Sequence, residues 1–508
     1  MRVNGLSFAA GRASRRRILV GGAGAVLAVA LGGCAAPPAP TPTPAPPTAA
    51  PAAPTTAAAP TTAAAAPTPA PATATAAPAG ATATPAAATR PAAGAPVLVT
   101  YATSLTPPPY PDLFSTAVNN FEEKNPGIKV KIQTWPGQDF YDKLRLTFTA
   151  GQMADMADIE TKYLPDYNYR KMILDLTDMA RTAGIKQQDF WAKQWAKHVM
   201  QGKLMGLPFE SDPVILVYNK TLFEQAGVPL PPRKWGDPAW TWDKLVEVSA
   251  KLTQGSGTQK VWGFNVSTWW VYDYPLIWSN GGTVTDAERT KSTITMPETV
   301  EALQLRADLI HKHKVHPTPA DMTEGVNPLF ANGRLAMNMI WPAWATYLQD
   351  IPAARKLNID IAPLPSGKAG VFTRSPSSAA MLGSQTKIRD EAFKLAQYWV
   401  SVEGQTTICV GAGLLPALRA ALEAYVKPKN EQLAKMNWPI VPDAEAEERP
   451  KYQDVTIKWP EMDKMLRAAH DVLISGKETG KEFAARVDPQ INELLGSIPA
   501  EARGFIGD

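Results

Sequence analysis

Residues 97–134 read VLVTYATSLTPPPYPDLFSTAVNNFEEKNPGIKVKIQT, and this stretch decides the fold class. Val97, Val99 and Tyr101 alternate as a half-buried strand requires, and Phe114, Ala117, Val118 and Phe121 then recur at helical spacing. Asn125-Pro126-Gly127 stops the helix, after which Ile128, Val130 and Ile132 alternate again. Strand, helix, strand is the unit of a parallel sheet, because the helix supplies the long crossover that parallel pairing needs. The pattern recurs downstream. Phe140, Leu144 and Phe148 predict a helix ending near Gly151, followed by a short strand over 156–159. Thr241 is placed to cap a helix carrying Leu245, Val248 and Leu252 and closed by Gly255, and Val300, Leu303, Ala307 and Ile310 form another. Met462, Leu466, Ala469 and Leu473 run to Gly476; Thr479-Gly480-Lys481-Glu482 then reads as a capping box for a helix with Phe483, Val487, Ile491 and Leu494.

Upstream of residue 97 the composition changes. Residues 35–96 hold 29 Ala, 17 Pro and 13 Thr, with no aromatic, acidic or aliphatic side chain to offset the entropy of ordering, so an extended, disordered tether is expected. Before it, an Arg-rich segment precedes the uncharged stretch 18–33, which is short for a membrane span and suits a signal-peptide core. Ser14-Arg15-Arg16-Arg17-Ile18-Leu19 resembles the twin-arginine export signal, and Leu31-Gly32-Gly33-Cys34 resembles the bacterial lipobox, in which the cysteine is lipidated. The expectation is a cleaved signal peptide over 1–33, then a lipidated Cys34 and tether over 34–96 that hold the protein to the outer face of the cytoplasmic membrane. Residues 97–508 exceed the size at which single cores stop growing, which predicts two lobes.

Charge and cysteine content narrow the function classes. The formal charge of +4 includes five Arg before Cys34, so without that segment it is 4 − 5 = −1, which argues against nucleic acid as a partner. Lipidation of Cys34 would leave Cys409 with no intrachain partner, and its apolar neighbours predict an inert buried thiol. His311, His313 and His316 lie close together, but the Lys residues between them disfavour a bound cation, so no metal and no cofactor is expected. There is no His-Glu-x-x-His, Gly-x-Ser-x-Gly or phosphate-loop string.

Several strings carry a family likeness: Phe121-Glu122-Glu123-Lys124-Asn125-Pro126-Gly127-Ile128-Lys129-Val130, Gly206-Leu207-Pro208, Tyr218-Asn219-Lys220-Thr221-Leu222-Phe223 with Ala226-Gly227, Asn280-Gly281-Gly282, Phe330-Ala331-Asn332-Gly333-Arg334-Leu335-Ala336-Met337 and Gly413-Leu414-Leu415-Pro416. Taken in order, the exported part resembles the bacterial extracellular solute-binding proteins of ABC importers, in particular the maltose-binding-protein-like, sugar-binding family. The resemblance implies an α/β, two-lobed periplasmic-binding-protein (Venus flytrap) fold, each lobe a sheet flanked by helices, with a hinge of several crossovers. Lobe 1 is expected over 97–212 and 373–445 and lobe 2 over 213–372 and 446–508, with crossovers near Asp212-Pro213 and at 371–374. It further implies a monomeric, non-enzymatic receptor that takes a carbohydrate or polyol into the interlobe cleft and delivers it to membrane permease subunits. Two alternatives stand beside it: an exported carbohydrate-active hydrolase using Glu160, Glu210 or Asp212 as acid and nucleophile, and a surface solute receptor without transport.

A sugar offers hydroxyls and an apolar C–H face, so its site needs aromatic planes and fixed polar groups. Aromatic candidates are Trp135 after the second strand, Trp269, Trp270 and Tyr272 before the Gly281-Gly282 turn, and Trp341 and Trp344 after Met337; Trp235, Trp240, Trp242 and Trp399 fall on helix patterns and suit packing. The polar candidates, carried over from the family's loops, are Glu160 and Lys162 after the third strand, Glu210, Ser211 and Asp212 at the first crossover, and Arg374 at the second. Gly281 and Gly282 would let backbone approach a ligand, although a plain turn explains them equally well. Trp135 and the aromatic cluster at 269–272 depart from the maltodextrin-receptor pattern, so ligand identity does not transfer from fold.

Overall fold

The computed structural model describes residues 95–428, 430–446, 450–451 and 455–504. The signal peptide, lipobox and tether expected upstream lie outside the described residues. Within them, no helix is long and apolar enough to cross a membrane.

Among the described residues, ten strands build the two larger sheets: β1 (Val97–Thr103), β2 (Ile128–Thr134), β3 (Met156–Glu160), β4 (Leu207–Ser211), β5 (Ile215–Asn219), β6 (Trp262–Val266), β7 (Leu335–Ile340), β8 (Ile359–Ala362), β9 (Ser377–Leu382) and β10 (Leu415–Pro416). The first sheet runs β10-β4-β9-β3-β1-β2 and the second β8-β5-β7-β6. β1 pairs in parallel with both β2 and β3, as the opening strand-helix-strand unit requires, whereas β9 runs antiparallel to β3 and β4. The helix between β1 and β2, α1 (Tyr110–Lys124), buries Phe114, Ala117, Val118 and Phe121, the four residues whose spacing predicts it. α2 (Gly137–Thr149) follows β2.

In the second half, α3 (Trp242–Leu252) is capped by the Thr241 side chain but ends at Thr253, two residues before the expected Gly255. α4 (Tyr274–Asn280) and α5 (Pro297–His311) follow, then α6 (Trp459–Ile474) and α7 (Gly480–Gly496) near the C-terminus. Thr479 and Glu482 form the reciprocal capping box at the start of α7. Cys409 is buried and its thiol lies 3.4 Å from the Phe209 carbonyl; burial pushes the thiol up, which keeps it unreactive.

The chain passes between the sheets where β4 leads into β5, again between β8 and β9, and a third time after β10. The first two passages lie side by side: Asp212 N donates to Pro376 O at 3.1 Å, Val214 N to Arg374 O at 2.8 Å, and the Thr373 hydroxyl to Val214 O at 2.6 Å. Thr373–Arg374 also pairs in parallel with Pro450–Lys451 of the third passage. A buried polar cluster ties all three, with Glu445 Oε1 accepting from Ser211 (2.6 Å), Ser375 (2.7 Å) and Gln194 (2.9 Å). Within the span 373–445, which the sequence assigns to the first lobe, part of the chain packs beside the second sheet instead. Asn437 donates from its backbone to Asp360 and from its side chain to Arg233 O, Gln432 reaches Leu357 O, and Trp235 donates to Ile440 O. Apolar residues such as Trp438, Ile440 and Val441 are buried there, which no periodic pattern announces.

Candidate functional site

The site grows from one end of the inner strands of the first sheet. Ser378 on β9 pairs with Glu160 on β3 and with Glu210 on β4, so an acid, a serine and an acid sit in one row across three strands on one face. Two residues before Glu160, and therefore on the same face, lies Asp158. Beyond β4 the chain enters the first passage at Asp212. Asp158, Glu160, Glu210, Asp212 and Ser378 all line one cavity of about 730 Å³.

The opposite wall comes from elements beside the second sheet. The segment after β6 supplies Trp269 and Tyr272, and the segment after β7 supplies Trp341 and Trp344. Trp344 is held by an indole bond to Asn327 at 2.7 Å and by an edge contact with Phe330. The Tyr272 ring stands 6.0 Å from that of Trp341. Arg374, in the second passage, spreads its guanidinium over Trp269 (5.3 Å) and Tyr272 (5.8 Å). Lys162 (4.6 Å) and Arg467 (4.2 Å) approach the Trp269 ring as well, so this indole is surrounded by cations and not open for stacking. Its Nε1 donates to Asp463 on α6, which also pairs with Arg467. A second cavity of about 900 Å³ shares Ser104, Gly137, Glu160 and Trp269 with the first and extends the groove toward Asp463 and Arg467.

Burial sets the charge of each acid, and neighbours decide the outcome. Burial alone would raise Glu160, but Lys162 at 2.6 Å, Arg374 and the Tyr141 hydroxyl at 2.8 Å bring it below the usual carboxylate range. Glu210 lacks such a cation: burial pushes it up to about 8, assisted by the charge of Glu160 and opposed by Ser378 and Lys197. Burial and the charge of Glu210 raise Asp212 well above its ordinary value, against Arg374. Asp158 is raised too, chiefly by burial, although Thr103 donates to its Oδ2 at 2.9 Å.

Of the residues singled out from sequence, Glu160, Lys162, Glu210, Asp212, Trp269, Tyr272, Trp341, Trp344 and Arg374 lie along this groove. Ser211 lies behind it in the Glu445 cluster. Trp270 is a packing residue, buried against Tyr274 and Trp459 with its indole on Asp463. Trp135 packs near Phe140 while its neighbours Pro136 and Gly137 reach the cavity. Gly281 and Gly282 belong to a turn: Gly281 caps α4 at φ +95°, and a Cβ on Gly282 would come within 2.7 Å of the Thr299 backbone nitrogen. His311 meets the Ile474 carbonyl and His316 the Pro317 and Val266 carbonyls, so these rings serve backbone atoms. Sequence reading missed Asp158, Ser378 and Tyr110 in the cavity wall. Strand periodicity around Glu160 is a signal that finds Asp158.

Two α/β halves joined by three passages, with an aromatic and acidic cavity between them, define a two-lobed binding protein. The model of the bacterial extracellular solute-binding protein family matches residues 102–406, and the chain belongs to that family. A binding protein of Brucella abortus (strain 2308) is 26% identical over 386 residues, covering 74% of this chain and 89% of its own length. The arabinooligosaccharide-binding protein of Halalkalibacterium halodurans is 26% identical over 292 residues, covering 55% of this chain and 61% of that protein. Among solved structures, an ABC substrate-binding protein from Listeria monocytogenes in complex with cycloalternan superposes with a TM-score of 0.70 at 22% identity, covering 79% of this chain and 99% of its own.

Proposed function

We propose that this chain is the receptor of an ABC importer: it captures a carbohydrate between its lobes, closes over it and presents it to a membrane permease. The observation that carries the reading is the cavity itself, whose acidic wall belongs to the first sheet and whose aromatic wall belongs to the second half. A ligand with hydroxyls along its edge and C–H groups on its face engages both walls at once. It therefore binds the closed form better than the open one, and that difference in affinity moves the population toward closure. The relatives named for arabinooligosaccharide and cycloalternan support a sugar as the solute.

Within the groove, Trp341, Trp344 and Tyr272 supply the stacking faces, while Glu160, Glu210, Asp212 and Ser378 address hydroxyls; Lys162 and Arg374 hold Trp269 and the acidic row in place. The lobes are read as 97–212 with 373–445 and 213–372 with 446–508, apart from the stretch near Gln432 to Val441 that packs beside the second sheet. Export through the twin-arginine signal and lipidation of Cys34 fit a family that works outside the cytoplasm. Small-angle scattering with and without saturating sugar tests the mechanism: the radius of gyration is expected to fall on binding, and an unchanged profile in the presence of bound ligand would remove the hinge from the account.

A further inference from the structure

We propose that the acidic end of the cleft binds a protonated amine, so that the solute is an amino-bearing saccharide; this rests on the carbohydrate-receptor function proposed above. Four carboxylates, those of Asp158, Glu160, Glu210 and Asp212, line the first cavity, and Arg374 is the one cation among its described lining residues. Lys162 neutralises Glu160, and Arg374 is spread over two aromatic rings. Asp158, Glu210 and Asp212 take part in no ion pair among the described residues, although they are only 2%, 7% and 3% exposed. Two of their oxygens, Asp158 Oδ1 and Asp212 Oδ1, are buried without a hydrogen-bond partner. Independently of the acids, the Tyr272 hydroxyl, buried in the facing wall, has no partner either.

Uncharged hydroxyls satisfy lone pairs but leave the three acids with too little positive charge around them to give up their protons. An ammonium group donates three hydrogen bonds and brings the missing charge. The aromatic rings of Tyr110 and Trp341 line the same cavity and attract a cation by their faces. Glu210 is faced by Asp158 and Glu160 from β3, Asp212 and Arg374 from the two passages, Lys197 from behind, and Tyr110 and Cys409 from α1 and the segment before β10. In this company burial holds its proton near neutrality, so an arriving ammonium displaces that proton into the buffer; a neutral sugar leaves it in place.

The test is calorimetric titration of the purified chain at neutral pH, in two buffers of different ionisation heat. Glucosamine, galactosamine and glucosamine oligomers are compared with glucose, galactose and the N-acetylated oligomers. At least about tenfold tighter binding of the amine-bearing members is expected, with a buffer-dependent heat that reports proton release. Glu210→Gln and Asp212→Asn should both remove the preference. Each keeps the size of the side chain while replacing a buried ionisable carboxyl by a neutral amide, so the ligand-free melting temperature should hold or rise, which separates lost recognition from lost folding. Equal or tighter binding of the neutral members, or no proton release, overturns the amine inference and leaves the carbohydrate receptor standing. Silence from both sets, with a response to amino acids or peptides, overturns the carbohydrate reading and this inference with it.

Discussion

Glu160 and Glu210 flank the same serine on the same sheet face, yet their surroundings drive their charges apart. Lys162 and Arg374 hold Glu160 ionised, whereas burial moves Glu210 from 4.5 up to about 8. Because the folded chain binds the Glu210 proton more tightly than the unfolded chain, its contribution to stability is whole below about pH 4.5 and is lost as pH rises through 8. The ligand-free melting temperature should therefore decline over that window, and Glu210→Gln should flatten the decline by an amount corresponding to a few kcal/mol. Thermal scans of both proteins from acidic to alkaline pH check it. Trp341→Ala should weaken sugar binding about tenfold or more with little change in stability, since Trp341 is half-buried and part of the cavity wall. At this scale the sequence is legible where residue type is decisive, as with the acids at 160, 210 and 212. It misleads where one residue type serves two purposes: adjacent Trp269 and Trp270 both bond Asp463, but only Trp269 reaches the groove.

Local elements are legible wherever periodicity and caps agree, as in α1, the Thr241 cap and the Thr479–Glu482 box. Two strands resist such reading for physical reasons. β9 reads Ser-Ser-Ala-Ala-Met-Leu, with no apolar alternation, and its partners on β3 and β4 lie far earlier in the chain. β6, Trp-Gly-Phe-Asn-Val, is buried along its whole length and so lacks a polar face. Gly282 distinguishes a turn from a ligand contact: Gly282→Ala should cost roughly 1–3 kcal/mol of stability through the clash with Thr299, while sugar affinity stays within about twofold. Urea unfolding and a binding isotherm on the same variant measure both. In the hinge, Glu445 accepts from three side chains while buried, so Glu445→Ala should lower stability by about 2–4 kcal/mol in urea unfolding.

For the whole molecule, the division into two sheets follows from chain length and alternating elements, but the route between them does not. The first two passages are held to each other by backbone bonds such as Val214 to Arg374, between segments far apart in sequence. Residues 35–96 are the complementary case, since their Ala, Pro and Thr composition alone carries the expectation of a tether. If Cys34 anchors the receptor, Cys34→Ser should move it from the membrane fraction to the soluble fraction without altering sugar affinity, as fractionation and titration would reveal. The central claim, a carbohydrate held between acidic and aromatic walls, is tested most directly by thermal shift of the purified chain. The panel comprises mono-, di- and oligosaccharides and polyols, with amino acids and peptides as controls. A rise in melting temperature confined to one saccharide class is the predicted result, because a ligand bound only to the native state stabilises it by mass action. A shift with amino acids or peptides and none with any saccharide would contradict it.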